Sequence, residues 1–162
     1  MYSSTALTIL LLVIIEKNKK TDIVVIVMDL GFGMFDAIKK DYSSRFFNVG
    51  ASEQAGMDIA VGMALSGKKP FVYSITPFLI YRPFETLRTY IHNEDIPVRL
   101  VAAGRGEDYE IDGISHQSND VRKILDCLPD IEQHFPMDKK EIPNLVSKMV
   151  KVNTAQFISL RR

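Results

Sequence analysis

The chain has 162 residues, the size of one compact domain. Apolar residues make up 46% and charged residues 25%, which excludes a disordered tail, a collagen-like repeat and a coiled coil. Twenty Lys plus Arg balance twenty Asp plus Glu, so the chain has no electrostatic footprint for nucleic acid or an acidic membrane surface, and little charge to oppose self-association. Its one cysteine, Cys127, excludes an intrachain disulfide; no CxxC or His/Cys cluster suggests zinc, and the usage fits a reducing, cytoplasmic setting.

In chain order, Ala6 to Ile15 is a continuous apolar run. No Lys or Arg precedes it, no small-residue cleavage site follows it, and it falls short of the ~20 residues that span a bilayer. It reads as a buried first element. Ile23 to Met28 is β-branched and continuous, as expected of a parallel strand covered on both faces. It runs into the loop Asp29-Leu30-Gly31-Phe32-Gly33, at the strand end where open α/β sheets bind ligands. Phe35 to Lys40 predicts a short helix and Arg45 to Val49 a short extended segment.

Ser52 to Ser66 predicts an apolar helix closed by Gly67. Gly56 and Gly62 inside it each cost ~1 kcal/mol relative to Ala, so they imply close approach by another backbone or helix. Pro70 to Ile75 predicts a second strand, Phe78 to His92 a mostly helical stretch with Pro83 as the first residue of its regular part, and Val98 to Ala103 a third strand. Gly104 to Asn119 is a polar loop, long enough to imply function or disorder. Val121 to Cys127 predicts a short helix. Asp138 and Glu141 have capping-box spacing before a helix ending near Val150, and Gln156 to Leu160 predicts the last strand. With no repeat or internal linker, the reading is a single α/β domain, three-layered, with a mainly parallel sheet flanked by helices.

Three segments could carry chemistry. Asn48 to Gln54 turns through Gly50 and sets Glu53 in the first turn of the apolar helix. An acidic residue there complements the helix dipole; a carboxyl group at the mouth of a buried interface helix is also poised to share a proton. Phe78, Tyr81 and Phe84 recur every three residues, either as core packing or as an aromatic platform for a flat heterocycle. Asp112 to Gln117 puts His116 near Asp112 in the long loop, either to orient a substrate hydroxyl or to cap the helix at Val121. There is no Ser/His/Asp set, Walker loop, HExxH or GxGxxG.

The run RFFNVGASEQAGMDIAVGMALSGKKPFVYSITPFL, Arg45 to Leu79, followed by DGISHQ, resembles the pyrimidine-binding domain of transketolase, over about Asp29 to Asp130. The resemblance implies that fold, with thiamine diphosphate as cofactor. It places Glu53 where the family's glutamate binds a ring nitrogen of the aminopyrimidine; sharing a proton there favours the imino tautomer, and the cofactor acts as the electron sink. Phe78, Tyr81 and Phe84 match positions around that ring, Asp29 an acid near the cofactor, and Asp112 and His116 positions facing substrate hydroxyls, with His116 also a catalytic candidate. Ile114-Ser115 stands where a Pro-Thr pair is usual.

The GDG-and-Asn motif that holds Mg²⁺ and diphosphate in the family's second domain is missing from this sequence. The resemblance therefore implies half of a composite site, with no metal held by this chain. A diphosphate-binding transketolase subunit would complete it, in a heterotetramer, for transfer of a two-carbon ketol unit between sugar phosphates. A component of a deoxyxylulose-phosphate synthase or a 2-oxo acid decarboxylase, and a non-catalytic partner that keeps the fold, are the alternatives.

Overall fold

The apolar runs form the centre of a six-stranded sheet. The computed structural model describes residues 22–162, so the Ala6 to Ile15 element lies outside the described residues. The strands are β1 (Ile23–Val27), β2 (Phe46–Asn48), β3 (Lys69–Ile75), β4 (Arg99–Ala103), β5 (Glu132–His134) and β6 (Gln156–Leu160), in the order β2-β1-β3-β4-β6-β5. Every pairing is parallel, a step further than the mainly parallel sheet expected. The helices are α1 (Asp36–Asp41), α2 (Glu53–Leu65), α3 (Thr76–Tyr81), α4 (Phe84–Thr86, running on as a π-helical turn over Leu87–His92), α5 (Val121–Leu125) and α6 (Ile142–Lys151). None among the described residues is long and apolar enough to cross a membrane.

Side chains alternate across the apolar strands and feed two cores. Ile23, Val25, Val27, Phe71, Tyr73, Val101 and Ile158 meet α1 through Ile38 and α6 through Val146 and Met149. Ile26, Val72, Leu100 and Phe157 face the other way, onto Met57 and Ala60 of α2, Leu79 of α3, Leu87 and Ile91 of the π turn, and Leu125 of α5. The result is three layers: helices, sheet, helices.

β5 has no counterpart in the sequence reading. Glu132–His134 is a three-residue edge strand with no apolar run to announce it; its buried His134 ring nitrogen lies 2.8 Å from Gln156 Oε1. A second difference concerns the stretch after β3. The helix starts at Thr76 with Pro77 in its first turn, ends at Tyr81, and resumes at Phe84. Pro83 caps the second piece instead of opening it, because its ring removes a donor and breaks the ladder there. Phe78 and Tyr81 therefore lie on one helix and Phe84 on the next.

Strand order places the site. From β1 the chain passes to β2 on one side; from β3 it passes to β4 on the other. The crevice outside the C-terminal ends of β1 and β3 is thus a topological switch point, where open α/β sheets bind ligands. Asp29 follows β1, and Thr76 to Arg82 follow β3.

Candidate functional site

Two loops are tied together at this edge by one side chain. Asn48, the last residue of β2, accepts the main-chain N–H of Asp29 at 3.1 Å and that of Gly50 at 3.0 Å through Oδ1. Asp29 itself is exposed and sits at φ +54°, the left-handed region that Asp tolerates better than most residues. Gly50, at φ +70°, turns the chain from β2 into α2. Glu53 is the first residue of α2, where its charge suits the positive end of the helix dipole.

The Glu53 carboxylate is 4% exposed, and its Oε1 accepts a hydrogen bond from Arg82 Nη1 at 2.5 Å. Arg82 lies at the end of α3, four residues after Phe78, and its guanidinium carbon sits 3.6 Å from the centre of the Phe78 ring. The Phe78 ring in turn meets the His116 ring edge-on at 4.8 Å, with Tyr109 at 6.4 Å from the same imidazole. Glu53, Arg82, Phe78 and His116 thus form a continuous contact chain from α2 across α3 to the long loop.

That loop is ordered by contacts at both ends. Gly104 leaves β4 at φ +83°, and a Cβ there would lie 2.2 Å from the Tyr109 ring, so only glycine lets Tyr109 pack down. Thr76 Oγ1 donates to Gly104 O at 2.5 Å, and Ser118 N–H donates to Gly106 O at 2.9 Å. Arg105 donates to Pro136 O at 3.1 Å, to Ser159 Oγ at 3.1 Å and to Ser159 O, pinning the loop to the ends of β5 and β6. Burial lowers the pKa of that guanidinium. Ser115 Oγ lies 3.0 Å from His116 Nδ1.

The remaining candidates are dispersed. Asp112 is exposed at the end of a 3-10 turn, Glu110–Asp112, before Gly113 at φ +81°. Tyr81 O–H donates to Asp120 Oδ1 at 2.5 Å, and burial, then that carboxylate, raises the phenol's pKa. Phe84 is half-buried and packs against the α2 side of the core. The expected aromatic platform is therefore not one continuous row: Phe78 lines the Glu53 site, Tyr81 is tied to the α5 entrance and Phe84 belongs to the core.

Sequence reasoning missed Arg82 as the partner of Glu53 and Asn48 as the tie between loops. The four-residue spacing of Phe78 and Arg82 was the available signal, since it puts a cation over a ring on one helix face. The site also fits a flat, nitrogen-bearing ring: a planar group with in-plane N–H donors already lies against both Glu53 and Phe78.

An all-parallel sheet with a buried acid at its switch point defines a ligand-binding α/β domain. Comparison with known proteins specifies it. The family described as transketolase, pyrimidine binding domain, matches residues 5–162, and the chain belongs to that family. A relative from Methanocaldococcus jannaschii, named for a transketolase C-terminal section, is 28% identical over 92% of this chain and 48% of its own. The 1-deoxy-D-xylulose-5-phosphate synthase of Clostridium botulinum is 29% identical over 92% of this chain and 24% of its own. Among solved structures, "Split gene transketolase, inactive beta4 tetramer" superposes on all of this chain and 52% of its own, at TM-score 0.86 and 28% identity. The chain thus spans less than half the length of these two relatives.

Proposed function

We propose that this chain is the ring-binding subunit of a thiamine-diphosphate-dependent, transketolase-like enzyme of the cytoplasm. In this reading a diphosphate-binding subunit completes the site, holds Mg²⁺ and joins it in a heterotetramer. When bound, the cofactor supplies an electron sink for transferring a two-carbon ketol unit between sugar phosphates. Glu53 holds a proton at the ring nitrogen through its carboxyl oxygen. Phe78 provides the wall on which the ring rests, with Tyr81, Phe84 and Asp29 at the margins of the ring pocket. His116 and Asp112 face the substrate's hydroxyl groups, and His116 can pass a proton to or from one of them.

One observation carries the reading: a carboxylate withdrawn from water at the switch point, joined through Arg82 to an aromatic face and a histidine. The partner is supported by apolar side chains left in water. Phe32, Ile111, Ile114 and Met137 are exposed on loops that follow β1, β4 and β5, and Ile59 and Leu65 on the outer face of α2.

The test mixes the chain with a diphosphate-binding transketolase subunit, Mg²⁺ and cofactor. Glu53→Gln is expected to assemble normally and to lose ketol transfer by about 10²- to 10⁴-fold, the range for a positioned proton-transfer group. Undiminished transfer by that variant would defeat the assignment. Similar identity to a deoxyxylulose-phosphate synthase and to a transketolase section makes the donor of the two-carbon unit the open choice. The same mixture offered a ketose phosphate with an aldose phosphate, or pyruvate with glyceraldehyde phosphate, separates the two reactions.

A further inference from the structure

Arg82 lies against the two groups that a bound aminopyrimidine would need. Its Nη1 donates to Glu53 Oε1 at 2.5 Å, and its flat guanidinium lies on the Phe78 face at 3.6 Å. A guanidinium and an aminopyrimidine present the same recognition elements: a plane, N–H donors in that plane, and a face that stacks on an aromatic ring. One carboxylate oxygen and one ring face cannot serve both at once. We propose that Arg82 is a built-in occupant of the ring subsite, which holds Glu53 and Phe78 in the unliganded chain and is displaced when the ring binds. This rests on the ring-binding role proposed above.

Placement makes the displacement feasible. The Arg82 side chain is 46% exposed, whereas Glu53 is almost fully enclosed. Arg82 ends α3, and Pro83 follows with φ −95° and ψ 28°, so neither helix continues rigidly through it. The guanidinium can swing into water without disturbing α3 or α4. While in place, it spares a buried carboxylate from lying without a counter-charge. The ring must then replace that contact, which lowers apparent affinity by the fraction of molecules with the arginine in place.

The experiment uses the full chain and two probes: 4-amino-2,5-dimethylpyrimidine, which is the ring alone, and thiamine. Binding is measured by calorimetry and by heteronuclear NMR. Arg82→Met keeps an apolar chain over Phe78 but removes the competing donors, and is expected to bind the ring about tenfold tighter than the unaltered chain. Arg82→Lys keeps the charge but not the plane, and should fall between them. Glu53→Gln combined with Arg82→Met should lose the gain. In the unaltered chain, saturating ring should move the Arg82 side-chain N–H signals to those of a solvated arginine.

Equal or weaker binding by Arg82→Met, with binding still dependent on Glu53, overturns the proposal while leaving the ring subsite standing. Failure of every protein to bind either probe overturns the ring subsite and this proposal together. Should Arg82→Met not fold, Arg82→Lys decides by the same comparison.

Discussion

The two ends of the sheet each bury one charged side chain, and they hold it in opposite ways. At the N-terminal end, Arg99 of β4 is 0% exposed and donates to three main-chain carbonyls: Met149 O at 3.0 Å, Pro97 O at 2.6 Å and Val152 O at 2.6 Å. Two of these belong to the end of α6, where the negative pole of the helix dipole suits a cation. At the C-terminal end, Glu53 is held, among the described residues, by one side chain, itself half in water. Main-chain partners cannot leave; a solvated arginine can. The first arrangement fixes scaffold, and the second leaves a charge exchangeable, as a binding site requires.

Substitution at the two ends should separate stability from function. Glu53→Gln has the largest expected effect on activity, given above, yet it should shift the unfolding free energy by less than about 1 kcal/mol because Arg82 is free to hydrate. Arg99→Met should do the reverse. It strands three acceptors at about 1 kcal/mol each, so stability should fall by about 3 kcal/mol and Tm by roughly 6–12 °C. The folded fraction should keep full ring affinity, read by calorimetry below the transition. Burial lowers the Arg99 pKa to about 10, so it stays charged at neutral pH and its three bonds stay charge-assisted. A large stability loss in Glu53→Gln, or altered ring binding in folded Arg99→Met, would break the comparison.

The two glycines of α2 sharpen it on a smaller scale. A Cβ on Gly56 would meet Val49 Cγ2 at 2.9 Å and Met28 Cε at 3.0 Å; at Gly62 it would meet nothing within 4 Å among the described residues. Gly62→Ala should therefore stabilise the isolated chain by up to about 1 kcal/mol through helix propensity. Gly56→Ala should be less stable than Gly62→Ala by about 1–2 kcal/mol, from overpacking. Urea unfolding measures both. If the outer face of α2 docks on a partner, Gly62→Ala should also weaken co-elution with that subunit.

These contrasts mark where sequence was legible. β1, β3 and β4 are apolar on both faces, so their composition announced buried parallel strands. The Asp138–Glu141 capping box was legible because its hydrogen bonds close within four residues, and both are present. Gly56 was legible as a close approach; Gly62, read the same way, meets no neighbour among the described residues. β5 was invisible because its three residues owe their strand to β6 and not to their own pattern. The Glu53 position could be read from the apolar helix that follows it. Its counter-ion could not, because Arg82 lies 29 residues away and pairs only after β3 brings α3 beside α2. Pro83 sets Phe84 on a separate helix from Phe78, and Tyr81, on the same helix as Phe78, is drawn to Asp120, which lies 39 residues away in sequence.

A third way of holding charge bounds the comparison from below. Glu132 on the edge strand pairs with Lys148 of α6, with both side chains nearly half exposed. The hydrogen bond from Lys148 lowers the Glu132 pKa below its ordinary value, against a smaller opposing effect of burial and with help from Gln156. A carboxylate whose folded pKa is depressed adds stability above its unfolded pKa and loses it as pH falls through the folded one. Lys148→Met should accordingly cost about 0.5 kcal/mol at neutral pH in low salt, as exposed pairs do, and less in 1 M NaCl. Below the carboxylate range the difference from the unaltered chain should vanish. Urea midpoints at neutral and acid pH test this. A cost as large as that of Arg99→Met, or one that persists in acid, would mean that exposure does not decide how firmly this fold depends on a charge.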